Sequence, residues 1–232
     1  MRMGKRSAGP GWGWYVSAMG ALILVTVGSA GIRALAAEPS VSAPSPAPVS
    51  PDTQQTKSAG SIVFRAPAST LPNTAEVVKG KAPDEVVEIV LPGRLYTPPL
   101  KLEPVATRSE ANRSTPEQAS ASDFSAFRAA DGEWLKENFS TADYPSIKRL
   151  VEDRNIRKQN QSIFMRHGSK AVVATSMYRD HALVFVQYDG AKAGGLIEVY
   201  TKVGDAWKRT NELAKDPTVA VLLPMFRNGS VE

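Results

Sequence analysis

The sequence predicts an α+β fold, with N-terminal helices packed on a curved, cone-like antiparallel sheet. A signal or anchor helix and a Pro-rich disordered linker are expected to precede that domain. Three observations predict this. Two helix-start signals followed by apolar residues at helical spacing open the C-terminal half. The apolar period then changes from that of a helix to that of a strand. The strand-like runs are joined by turn residues too few for crossovers, which makes neighbouring strands antiparallel.

The first helix start is Thr115-Pro116-Glu117-Gln118: a capping Thr, Pro at the first helical position and Gln three residues after the cap. Phe124, Phe127, Asp131, Trp134 and Leu135 then fall on one helical face, with Arg128, Glu133 and Lys136 elsewhere. The second start is Asp143-Tyr144-Pro145, followed by Ile147, Leu150 and Val151, in a helix ending near Asp153 or continuing to Arg157.

Downstream, "SIFMR", "KAVVATSMY", "ALVFVQY", "LIEVYTKV" and "AWKRTNEL" are β-branched or aromatic runs. "HGS", "RDH", "DGAKAGG" and "GD" separate them with turn chemistry, giving a meander. "ALVFVQY" is apolar on both faces, as a central strand covered on both sides should be. In the hairpin 196–213, Ile197, Val199, Thr201 and Val203 share one face and Glu198, Tyr200 and Lys202 the other, with Gly204-Asp205 at the turn. The tail "DPTVAVLLPMF" fits a short helix or a strand, and periodicity does not choose between them.

The chain of 232 residues carries 28 basic and 23 acidic residues, and the excess is not evenly spread. Residues 1–37 hold four basic and no acidic residues, 38–115 eight of each, and 116–232 sixteen against fifteen. A nucleic-acid-binding protein concentrates its excess on the folded part, so no nucleic-acid partner is expected. Cysteine is absent, which excludes disulfides, thiol chemistry and cysteine-based zinc sites.

At the N-terminus, Arg2, Lys5 and Arg6 precede an uncharged run that reaches Ile32. Residues 12–32 are long enough to cross a bilayer as a helix, and Trp12, Trp14 and Tyr15 sit where an aromatic belt would lie. The run ends in "RALAAEPS", where Ala34 and Ala36 are the small residues of a cleavage site. Residues 1–37 therefore read either as a cleaved signal peptide or as an uncleaved inner-membrane anchor. On both readings the rest is exported, to the periplasm or beyond the cell.

Residues 38–115 carry twelve of the seventeen prolines and read as a Pro/Ser-rich linker. Within it, "SIVFRA", "EVVEIVL" and "RLYTPPLKLEPV" contain strand-type residues interrupted by Pro92, Pro98, Pro99 and Pro104. Proline cannot donate to a central ladder, so these are expected as edge strands or as an extended arm, with 84–96 adding to a sheet edge. Residues 116–232 form the globular α+β domain.

The order of helices and strands, with the closing "VYTKVGDAWKRTN", resembles the nuclear-transport-factor-two-like, or cystatin-like, superfamily over about residues 116–226. The resemblance implies a helical hairpin followed by a bent sheet wrapped into a cone. It transfers no activity, because the fold hosts many functions. Type IV secretion inner-membrane assembly proteins are similar in plan, with one anchor and an exported domain of this superfamily, though the long Pro-rich spacer departs from it. Enzymes of the superfamily imply an Asp-His pair in the cone. Here Asp180 and His181 are adjacent and point to opposite faces unless the turn bends them together.

The catalytic candidates are thus His181 and Asp131, a carboxylate on an apolar helix face that burial would make basic. Trp134, Tyr144, Tyr178, Tyr200, Arg209 and Asn211 are the candidate lining of a ligand pocket, with Tyr144 or Arg209 an alternative partner for Asp131. No spacing suggests a metal, and no phosphate loop or other cofactor pattern is present. The expected function is an exported, non-enzymatic envelope protein whose domain binds an envelope protein or self-associates. The alternative is a small-molecule binder or enzyme with Asp131 as its polar centre.

Overall fold

The computed structural model describes residues 60–189 and 195–232. The expected signal or anchor segment and the first part of the linker lie outside them. Among the described residues no helix is long and apolar enough to cross a membrane.

Seven strands form one antiparallel sheet: β1 (Gly60–Pro67), β2 (Val86–Leu102), β3 (Lys170–Tyr178), β4 (His181–Tyr188), β5 (Gly195–Val203), β6 (Ala206–Arg209) and β7 (Ser230–Val231). Their order is β6-β5-β4-β3-β2-β1-β7. The helices are α1 (Pro116–Ala129), α2 (Gly132–Asn138), α3 (Tyr144–Glu152), α4 (Arg154–Phe164) and α5 (Pro217–Asn228). The α+β class and the antiparallel meander from β3 to β6 match the sequence reading.

The first correction is that two strands precede the helices, so the sheet takes in residues 60–102 of the expected linker. β2 is a strand of this sheet and not a free arm, and each of its halves keeps the open side of an edge strand. It manages this by changing partners: Val86–Gly93 pairs with β1, and Gly93–Leu102 pairs with β3. Each half of β2 thus has one strand neighbour, which is why its prolines are tolerated. Pro98 and Pro99 fall in the gap between Leu95 and Leu100 where the β2–β3 register shifts, so their missing N–H groups cost no ladder bond.

The second correction concerns the helices. The expected face from Phe124 to Leu135 is broken at Ala130, whose φ of 52° ends α1 in the left-handed conformation. Asp131 then caps α2, its Oδ1 accepting from the backbone N–H of Glu133 and Trp134 at 3.0 and 3.1 Å. Asp and Gly favour caps over helix interiors, so "ADGEW" divides one periodic stretch into two helices. Asp153 repeats the device, ending α3 and capping α4. "SIFMR" closes α4 and its turn instead of forming a strand, because Ile156, Asn160 and Phe164 are spaced four apart and turn the same side inward. The ambiguous tail is helix α5, started by Asp216 and Pro217.

The two sheet faces are covered differently. Ile62, Phe64, Leu183, Phe185 and Ile197 pack under Leu222, Met225 and Phe226 of α5. On the opposite face, Leu102, Val172, Val184, Val186 and Tyr200 pack under Ala119 of α1. Phe124, Phe127, Trp134, Leu135, Ile147, Leu150 and Phe164 join the four helices to one another. β4 is covered on both sides, and Ala182 to Val186 are wholly buried.

Candidate functional site

Helix α1 is built from small residues on its inner side: Ala119, Ser120, Ser122, Asp123 and Ala126 are all buried. Small side chains let the helix lie close to the sheet, so Asp123, its wholly buried acidic residue, meets the side chains of four strands. Lys170 (β3), Tyr188 (β4), Glu198 and Tyr200 (β5) and Arg209 (β6) surround it. Asp123, Lys170, Glu198 and Tyr200 are at most 2% exposed. Arg209 reaches the rim, with 14% of its side chain exposed.

Lys170 and Glu198 form the tightest pair. The ammonium donates to Glu198 Oε1 and Oε2 at 2.8 and 2.7 Å, and to the Ser120 carbonyl at 3.1 Å. The Ser120 hydroxyl donates to Glu198 Oε2 at 2.7 Å. The Tyr200 hydroxyl lies 3.0 Å from both Glu198 Oε2 and Asp123 Oδ2. Arg209 Nη1 stands 3.5 Å from Asp123 Oδ2 and from Glu198 Oε1, and Tyr188 OH is 3.5 Å from Glu198 Oε1. No protein group donates to Asp123 Oδ1, although it is buried.

This geometry separates the two carboxylates. Burial pushes Glu198 up, but the charges of Lys170 and Arg209 and the hydrogen bonds from Lys170 and Ser120 outweigh it and hold the group at about 2. Burial also pushes Asp123 up, and there Arg209, Lys170 and Tyr200 offset it only in part, so the group stands at about 6. Burial lowers Lys170 and raises Tyr188 and Tyr200. The two formal anions and two formal cations balance, so the cluster is formally neutral, and burial moves Asp123 the furthest of its carboxylates towards neutrality.

Of the residues expected from sequence, Tyr200 and Arg209 meet in this cluster. The others lie apart. Trp134 is buried among the helices, its indole N–H donating to Ser122 Oγ at 2.9 Å. Tyr144 bonds Glu152 at 3.0 Å on α3. Asn211 donates its backbone N–H to Asp143 Oδ1 at 3.1 Å and its side-chain amide to Ser146 at 3.3 Å. Tyr178 lies on the other face of the sheet, its hydroxyl 3.1 Å from Thr218 Oγ1 at the start of α5. His181 Nε2 is 2.8 Å from Glu212 Oε2, away from Asp123. Asp131 is a helix cap and not a polar centre. Among the described residues no group of three or more His, Asp or Glu is placed to hold a metal ion.

Asp123, Lys170 and Glu198 were not singled out by the sequence. One signal for Glu198 was present: it shares a strand face with Tyr200, between apolar neighbours, in a strand whose other face is core. Compared with known proteins, the chain matches no family model, no curated protein and no solved structure.

Proposed function

We propose that this is an exported cell-envelope protein of non-enzymatic type, whose domain binds another protein or assembles with its own copies. The reading places it in the periplasm or outside the cell, with residues 12–32 holding it in the inner membrane if they are not cleaved. An α+β domain with an antiparallel sheet is in keeping with the nuclear-transport-factor-two-like resemblance and with the tethered plan of envelope assembly proteins. The basic excess in residues 1–37 favours a membrane over nucleic acid as the neighbouring surface.

The observation that carries the reading is the half of β2 before Gly93. Val86–Gly93 has β1 on one side, while pairing with β3 begins only at Gly93, so the other side of this half carries no strand. Val86 and Val90 turn outward from it at 56% and 51% exposure. Cross-strand, Val90 stands opposite the half-buried Val63. An apolar strand with an open edge is a template for an added strand, with main-chain bonds along the edge and side-chain contacts on the face. Glu88, paired with Arg65 at 2.8 Å, and Pro92 limit indiscriminate pairing there. A small-molecule or enzymatic reading is less well supported, because Asp131 is committed to backbone and the cluster at Asp123 is occupied largely by its own members.

A photo-activatable residue at Val90 of the full chain in cells is expected to yield a discrete protein adduct. The same residue at exposed Lys148, on α3, is expected to yield none. An adduct of twice the chain's mass identifies self-association, and one of another mass identifies a second protein. Absence of any adduct at Val90, or equal adducts at both positions, removes the reading.

A further inference from the structure

We propose that Asp123 is the binding site for one exchangeable proton, shared through the Tyr200 hydroxyl with Glu198, and that its uptake tightens the junction of α1 with the sheet. The argument begins with hydrogen counting. Asp123 Oδ2 and Glu198 Oε2 both lie 3.0 Å from the Tyr200 oxygen, yet a phenol has one hydrogen to donate. With both acids ionised, one of these contacts is acceptor against acceptor. A proton on Asp123 Oδ2 removes the conflict: Asp123 donates to the Tyr200 oxygen, and Tyr200 donates to Glu198. Each short contact then has its own hydrogen.

The charges around Asp123 favour the same assignment. From α1 it faces Ser120, from β3 Lys170, from β4 Tyr188, from β5 Glu198 and Tyr200, and from β6 Arg209. Glu198 holds two hydrogen bonds from Lys170 and one from Ser120, so it keeps its charge. Asp123 has Arg209 at 3.5 Å, Tyr200, and a second oxygen to which no protein group donates. Neutralising Asp123 leaves one positive charge in excess. Arg209, the charged member of the cluster that reaches solvent, can carry that excess at the rim while staying 3.5 Å from Glu198. Burial raises the group to about 6, which puts the proton's release in mildly acidic conditions. The site is independent of the binding surface at Val90.

Two measurements on the full chain test this. In the first, the side-chain carboxyl carbon of Asp123 is followed by NMR from pH 3 to 8. A transition well above the ordinary Asp range, with a matching change at the Tyr200 ring carbon bearing oxygen, is expected. A transition at or below the ordinary Asp value overturns the proposal. In the second, hydrogen exchange of the α1 amides is corrected for intrinsic rates and compared with Asp123→Asn. Wild-type protection is expected to fall as pH rises, by at most about tenfold per pH unit for one linked proton. The variant, whose amide already supplies a donor, should hold its protection constant. Wild-type protection that does not change while Asp123 titrates overturns the link to the α1 junction. If the variant fails to fold, the wild-type titration and exchange decide alone.

Discussion

Lys170 Nζ lies 2.7 Å from Glu198 Oε2 in the interior, with the two side chains 0% and 2% exposed. Removing two charges from water costs several kcal/mol each, and geometry of this quality with added hydrogen bonds is what offsets that cost. Breaking the pair is then far worse than replacing it. Lys170→Met is expected to destabilise the protein by about 3–5 kcal/mol, because it leaves the buried Glu198 with Arg209, 3.5 Å away, as its cationic partner. Lys170→Met with Glu198→Leu should recover much of that loss. Urea unfolding of the two single variants and the double variant measures this. A double variant no more stable than Lys170→Met would contradict it.

The two carboxylates of the cluster should pull stability in opposite directions with pH. Glu198 is depressed from 4.5 to about 2, so its contribution is present above 4.5 and lost as pH falls toward 2. Asp123 is raised from 3.8 to about 6, so its contribution is present below 3.8 and lost as pH rises through 6. At 1.36 kcal/mol per pH unit each is worth about 3 kcal/mol. Together they place a stability maximum at about pH 4, where both contributions are largely present. Unfolding free energy across pH 3–8 is expected to peak there, and Glu198→Gln should remove most of the acid limb. A profile that rises steadily to pH 7 would refute the assignment of Asp123.

The sequence showed most of the sheet because β3, β4 and β5 have one or both faces in the core, and period-2 patterning records that directly. It also showed that Tyr200 turns away from Ile197 and Val199, which is why Tyr200 and Arg209 were found. Lys170 and Asp123 were hidden for a different reason. A lysine at the start of a strand and an aspartate among serines look solvated, and only the approach of α1 to the sheet buries them. That approach depends on Ala119, Ser120 and Ala126 being small, a property of the pair of surfaces and not of either segment alone. β2 was masked by its prolines, which exclude a strand with two ladders but allow one that changes partners midway.

Asp131 provides a direct contrast between the expectation from sequence and the structure. As a helix cap it should be replaceable by any good capping residue. Asp131→Asn is expected to shift stability by less than about 0.5 kcal/mol, and Asp131→Ala to cost about 1 kcal/mol through loss of the α2 cap. Neither should alter the titration of Asp123. A large loss in Asp131→Asn alone would indicate that the carboxylate charge has a further role.

Gly93 is where β2 passes from β1 to β3, opposite Gly60 on one side and Ser176 on the other. A Cβ there would be driven into the Thr175 carbonyl oxygen, and would lie 2.6 Å from Ile62 Cδ1 and 2.8 Å from Ser176 Cα. The first and last of these are backbone atoms of a paired strand, so they cannot swing aside as a flexible side chain can. Separating β2 from β3 to make room would also disturb Ser176, whose hydroxyl donates to the Pro92 carbonyl at 2.9 Å. Gly93→Ala is therefore expected to destabilise the protein by about 1–3 kcal/mol, the usual cost of overpacking, despite adding only a methyl group. Gly204→Ala is the matched control, since nothing lies within 4 Å of its Cβ position and its φ of 60° leaves backbone strain as the main cost. Hydrogen exchange of the β2 and β3 amides should distinguish the two. Gly93→Ala is expected to lose protection across the β2–β3 ladder, and Gly204→Ala only around the β5–β6 turn. Equal loss in both places would mean that the crossover is looser than its contacts imply.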